Sequence, residues 1–135
     1  MTATAKKSAY DLALRAAGFG VGGWIVENTL FGPRFSALFD GIKVPLLPVY
    51  AAGGLAVQAL APSLRKQAWW VRFLAYAGTL SAIELAGCVA DREVLGACSW
   101  DYSRRACQKP LRGCVDLKHA AAWGALGLVV EAASR

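Results

Sequence analysis

Four long apolar runs, each roughly the twenty residues a helix needs to cross a bilayer, take up most of this chain. They cover about Tyr10–Phe31, Val44–Ala61, Trp69–Ala90 and Leu117–Ala133, and proline, glycine or charge stands between each pair. In 135 residues this leaves no room for a separate soluble body. Hydrophobic residues make up 56% and charged residues 18%, below the usual quarter. A small soluble domain of that composition would expose large apolar patches. Strand-type alternation is absent from the runs. The expectation is therefore one all-α domain over residues 1–135, an integral membrane bundle of about four transmembrane helices with a long outer loop.

The boundaries are readable from local chemistry. Ser8 can cap the first helix, and Asp11 and Arg15 lie one turn apart. Gly18 and Gly22 have the small-x-x-x-small spacing that lets helices approach closely in lipid. Gly32-Pro33 ends the run, because proline pushes the residue before it out of helical geometry. Pro45 and Pro48 fall in the opening turns of the second helix, where a missing N–H matters least, and Pro62 closes it. Trp69, Trp70 and Arg72 read as a headgroup anchor, and Lys118 as a residue that snorkels to the interface. No cleavable signal peptide is recognisable, so the first run is read as a retained helix.

The net charge of +6 is spread over short clusters such as Lys6-Lys7, Arg65-Lys66 and Arg104-Arg105. No basic stripe with interleaved aromatics exists, so these clusters suit loops beside a bilayer and no nucleic-acid partner is expected. The 15 Lys and Arg divide almost evenly between the two sides of a four-helix topology. The cysteines therefore set the orientation. Cys98, Cys107 and Cys114 lie in the long third loop and Cys88 just before it, which suits disulfides in an oxidising compartment. Four cysteines allow three complete pairings, and sequence does not choose among them. No C-x-x-C spacing favours zinc, so no metal and no cofactor is expected. The expectation is a multi-pass protein with both termini cytoplasmic and Asp91–Asp116 outside.

Five segments in order carry a family resemblance. They are Gly23-Trp24-Ile25-Val26-Glu27, then Pro45-Leu46-Leu47-Pro48-Val49-Tyr50-Ala51-Ala52-Gly53, Glu84, Trp100-Asp101-Tyr102-Ser103, and Gly113 with Trp123-Gly124. In these the chain resembles the CmpB-like family of small polytopic membrane proteins labelled ABC-transporter type IV. It departs at Ala51, where the family prefers glycine, and in its cysteine-rich loop. The resemblance implies a permease-like membrane protein. The chain has no G-x-x-x-x-G-K-[ST] segment, so nothing in it points to ATP binding.

Ionisable residues inside membrane spans are costly and suggest function. Counted along the helices, Glu27 and Glu84 lie roughly 6 and 9 Å from the same end of the bundle. Tyr50 and His119 fall near that level, and the loop carrying Trp100, Asp101 and Tyr102 covers it. These seven residues form the candidate ligand site, and none is assigned a catalytic role. Two desolvated carboxylates in one pocket do not both hold charge cheaply, so a small cationic or proton-coupled solute is the expected ligand. Four helices enclose little volume, which favours a homodimer. An accessory subunit working with a membrane partner protein is the alternative reading. An enzyme acting on a lipid headgroup is weaker, since no nucleophile motif supports it. Each site residue also has a bracing role open to it, with the carboxylates accepting hydrogen bonds and locking the bundle.

Overall fold

The computed structural model describes residues 3–30, 35–39, 42–100, 102 and 113–134. Four helices form its body: α1 (Ala3–Leu30), α2 (Leu47–Leu64), α3 (Trp69–Leu95) and α4 (Leu117–Ala133). Between α1 and α2 lies a hairpin, β1 (Phe35–Phe39) and β2 (Ile42–Pro45). The strands pair antiparallel from Phe35 opposite Pro45 to Phe39 opposite Ile42, with an irregularity between Ala37 and Phe39. The all-α reading holds for the four-helix body, to which this short hairpin is an addition. Asp40-Gly41 between two apolar segments was the available signal, a pair strongly favoured at hairpin turns.

Helix ends follow the local chemistry with four corrections. Helix α2 begins at Leu47 rather than Val44, so Pro48 lies in its first turn and Pro45 belongs to β2. Helix α1 begins well before Tyr10 and runs for 28 residues. Pro62 does not close α2 but sits inside its last turn, and the chain leaves the helix after Leu64 with Arg65 N–H donating to Ala61 O at 3.0 Å. Proline so near a C-terminus removes one helical hydrogen bond and interrupts little beyond it. Helix α3 continues past Ala90 to Leu95 and stops at Gly96, whose φ of 74° is a left-handed cap that glycine adopts without strain. Asp116 caps α4, its carboxylate accepting from Lys118 N–H at 3.4 Å.

Helix α1 packs mainly on α2, and α3 mainly on α4, while α2 touches both pairs. The seams are glycine-notched. A Cβ on Gly54 would collide with the Phe19 ring, and one on Gly127 with Tyr76. Gly18 and Gly22 do not serve this purpose, since each faces open space. The α1–α2 seam instead uses Gly20 and Gly23, against Leu47 and Tyr50.

Burial is inverted relative to a soluble protein. Glu27, Glu84, Asp116, His119 and Glu131 are all buried, while Leu30, Leu74, Val94, Leu117 and Val129 are exposed. Two helices, α2 and α3, are long and apolar enough to cross a membrane, and only 22% of each span is buried, unlike the core helix of a soluble protein. Helix α4, at 17 residues, reaches only about 25 Å.

Candidate functional site

Three carboxylates and the single histidine meet at the end of the bundle where α1 finishes and α2 and α4 begin. Asp116 is fully buried at the N-cap of α4, and its Oδ2 lies 2.8 Å from His119 Nδ1, one turn on. With Asp116 ionised, Nδ1–H donates to it, which turns Nε2 toward α1. There it lies 3.7 Å from Glu27 Oε1. The Tyr102 ring stacks on the imidazole with centroids 4.6 Å apart. Its hydroxyl donates to Glu84 Oε1 at 2.9 Å. Trp123 Nε1–H donates to the other oxygen of Glu84 at 3.3 Å. One connected set of side chains therefore runs from Asp116 through His119 to Glu27, and through Tyr102 to Glu84.

The covering segment is tied down by backbone bonds. Tyr102 N–H donates to Gly113 O at 3.0 Å, and Trp100 Nε1–H to Cys114 O at 3.0 Å. Farther out, the Ser99 backbone N–H donates to Asp91 Oδ2 at 3.1 Å, and the Ser99 hydroxyl bonds the same oxygen. Beneath the cover, Glu27, Tyr50, Glu84, Trp100, Tyr102 and Trp123 all line one small cavity of about 20 Å³. Two larger and almost wholly apolar cavities, about 230 and 270 Å³, adjoin it. The first lies among all four helices and shares Tyr50, Glu84 and Trp123 with the small cavity; the second lies along α1 and α4, beside Glu27 and His119.

Of the expected site residues, Glu27, Tyr50, Glu84, Trp100 and Tyr102 are thus brought to one cavity, and His119 stands beside Glu27. Asp101 lies outside the described residues. Glu84 sits deeper than expected, eleven residues or about 16 Å from the end of the longer α3. Two participants were not among the expected residues. Asp116 was read only as the start of the last helix, although an acidic N-cap three residues before a histidine is a usable signal. Trp123 enters the sequence analysis only through the Trp123-Gly124 pair of the family resemblance.

The cysteines gather beside this site. Cys88, Cys98 and Cys114 place their sulfur atoms within 4.8 Å of one another, the described group best able to hold a soft metal ion or form a disulfide. Cys107 lies outside the described residues. At the opposite end of the bundle, Arg72 is not a headgroup anchor. Its guanidinium donates to Glu131 Oε1 at 2.7 Å, and the Tyr76 hydroxyl donates to Oε2 at 2.9 Å.

A family model for CmpB, described as "Putative ABC-transporter type IV", matches residues 17–134. No curated protein and no solved structure matches the chain.

Proposed function

The chain belongs to this CmpB family, and from that premise we propose a permease-like protein of four transmembrane helices that binds a small cationic or proton-coupled solute between Glu27 and Glu84. The site faces the outer side of a bacterial inner membrane, with both termini in the cytoplasm. The observation that carries this reading is that carboxylates from two different helices, each 4% exposed, line one small cavity. The inverted burial supports the membrane setting, because exposed leucines and valines match lipid while the ionisable groups turn inward.

A cavity of about 20 Å³ has room for roughly one water. It suits a proton or a bare cation in this closed conformation. A larger solute enters when α1 moves away from α4, the seam already lined by the two apolar cavities. A second reading, an accessory subunit or homodimer, draws on Gly18 and Gly22 of α1, which are exposed at the rim of the larger cavity, meet no neighbour and would admit another helix closely.

The test is thermal stabilisation of the purified protein by a panel of small cations across a pH series. A ligand that binds the folded state raises the melting temperature with its concentration. The expected result is a pH-dependent rise that Glu27→Gln and Glu84→Gln both abolish while the unliganded protein still melts cooperatively. If the two variants change only the basal melting temperature, the carboxylates brace the bundle and the solute reading fails.

A further inference from the structure

We propose that Cys88, Cys98 and Cys114 form a thiol–disulfide exchange centre, in which Cys88 is shared by two mutually exclusive bridges and the choice of bridge latches or releases the cover over Glu84. The Cα atoms of Cys88 and Cys98 are 4.9 Å apart, and those of Cys88 and Cys114 are 5.7 Å apart. Both separations fall inside the range a disulfide requires. The backbone spacing thus allows either bond, yet one sulfur holds only one. Whichever bridge exists, the third sulfur remains within 4.8 Å of it.

That juxtaposition is what exchange requires. With Cys88–Cys114 formed, the Cys98 thiolate attacks the Cys88 sulfur. The Cys98–Cys88 bond forms, the Cys88–Cys114 bond breaks, and Cys114 leaves with the electron pair and takes up a proton. The count of one disulfide and one thiol is conserved, so no outside oxidant or reductant is consumed. Cys98 is the entry point for an external thiol or disulfide, because it is half-buried whereas Cys88 and Cys114 are 0% and 1% exposed.

The two bridges tie different things. Cys88 lies one helical turn beyond Glu84 on α3. A bond to Cys114 staples α3 to the segment that enters α4, closing a separation of 26 residues. The carbonyls of Cys114 and the neighbouring Gly113 hold Trp100 and Tyr102. A bond to Cys98 closes only 10 residues and ties α3 to its own continuation. That leaves the α4 entry, with its hold on Tyr102 and thence on Glu84, fastened by hydrogen bonds alone. Exchange therefore acts on the cover of the carboxylate site, though its chemistry does not depend on what that site binds.

The experiment is peptide mapping of thiol-trapped, unreduced protein, both as the full natural chain and in a Cys107→Ser background. Both preparations should yield the Cys88–Cys98 and Cys88–Cys114 linkages. Acid quenching at intervals after a rise in pH should show their ratio relaxing while the free-thiol content of the Cys107→Ser protein stays constant. Cys98→Ser should retain only Cys88–Cys114, and Cys114→Ser only Cys88–Cys98. If a single Cys88 partner is recovered throughout, and replacing that partner leaves Cys88 as a free thiol, the exchange centre is refuted. Three reduced thiols accompanied by stoichiometric zinc or copper would refute it equally, making the cluster a metal site. Because Cys98→Ser and Cys114→Ser report separately, a folding failure in one leaves the other decisive.

Discussion

The two ends of this bundle both bury charge, and they do so in opposite ways. At one end the carboxylate of Glu131 meets the guanidinium of Arg72, with the Tyr76 hydroxyl on its second oxygen. Opposite charges neutralise there and both oxygens of the carboxylate are occupied. At the other end Glu27, Glu84 and Asp116 gather around one histidine, and the two glutamates border a cavity. The first arrangement fixes how α3 and α4 meet. The second keeps space beside its carboxylates, so a proton or ion has somewhere to arrive. On the proposed reading, buried charge in such a bundle is not by itself a site; open volume beside the charge separates a clamp from a binding centre.

The largest expected effect lies at the clamp. Arg72→Met removes the guanidinium paired with buried Glu131, and losing one partner of a buried pair costs about 3–5 kcal/mol. Thermal or denaturant unfolding in detergent should show that loss, and a change below about 1 kcal/mol would mean that the two ends are not different in kind. Next comes the bridge beside the site. Cys88→Ser abolishes either pairing and should destabilise by about 2–4 kcal/mol under oxidising conditions. The same substitution should be nearly silent in reductant, which the paired melting curves would reveal.

The helix seam gives a smaller effect and a sharper internal control. Gly54→Val pushes a branched side chain into Phe19 and should cost about 1–3 kcal/mol by overpacking. Gly18→Val meets only open space in the monomer and should stay within about 0.5 kcal/mol in unfolding. A large Gly18→Val effect on oligomer size by light scattering would move the balance toward the homodimer reading. A small stability change is also expected at the carboxylate end. Glu84→Gln can still accept from the Tyr102 hydroxyl, so unfolding should shift by only about 1 kcal/mol. PH-dependent ligand stabilisation should nevertheless disappear.

Much of this was legible in the chain because polar residues inside apolar runs are few and their depth can be counted. Glu27, Tyr50 and Glu84 fall near one level for that reason, and His119 follows from its place at the start of α4. What sequence did not give has equally physical causes. Arg72 sits beside Trp69 and Trp70, so it reads as an interfacial anchor until α4 is known to bring Glu131 alongside. Their pairing spans 59 positions, and no local pattern marks it. The hairpin was hidden because its segments are short and join long helical runs. Gly18 and Gly22 have the right spacing for a notch, but helix rotation decides which glycines face the partner, and that depends on the whole seam.

The most direct test sets the two ends against each other in one assay. Protein reconstituted in vesicles would be given a pH gradient, and proton flux followed with an internal dye while the external monovalent or small organic cation is varied. The account predicts cation-dependent proton flux that Glu27→Gln and Glu84→Gln each abolish and that Glu131→Gln retains. Flux that survives Glu84→Gln, or that vanishes with Glu131→Gln in a protein still folded, would contradict it.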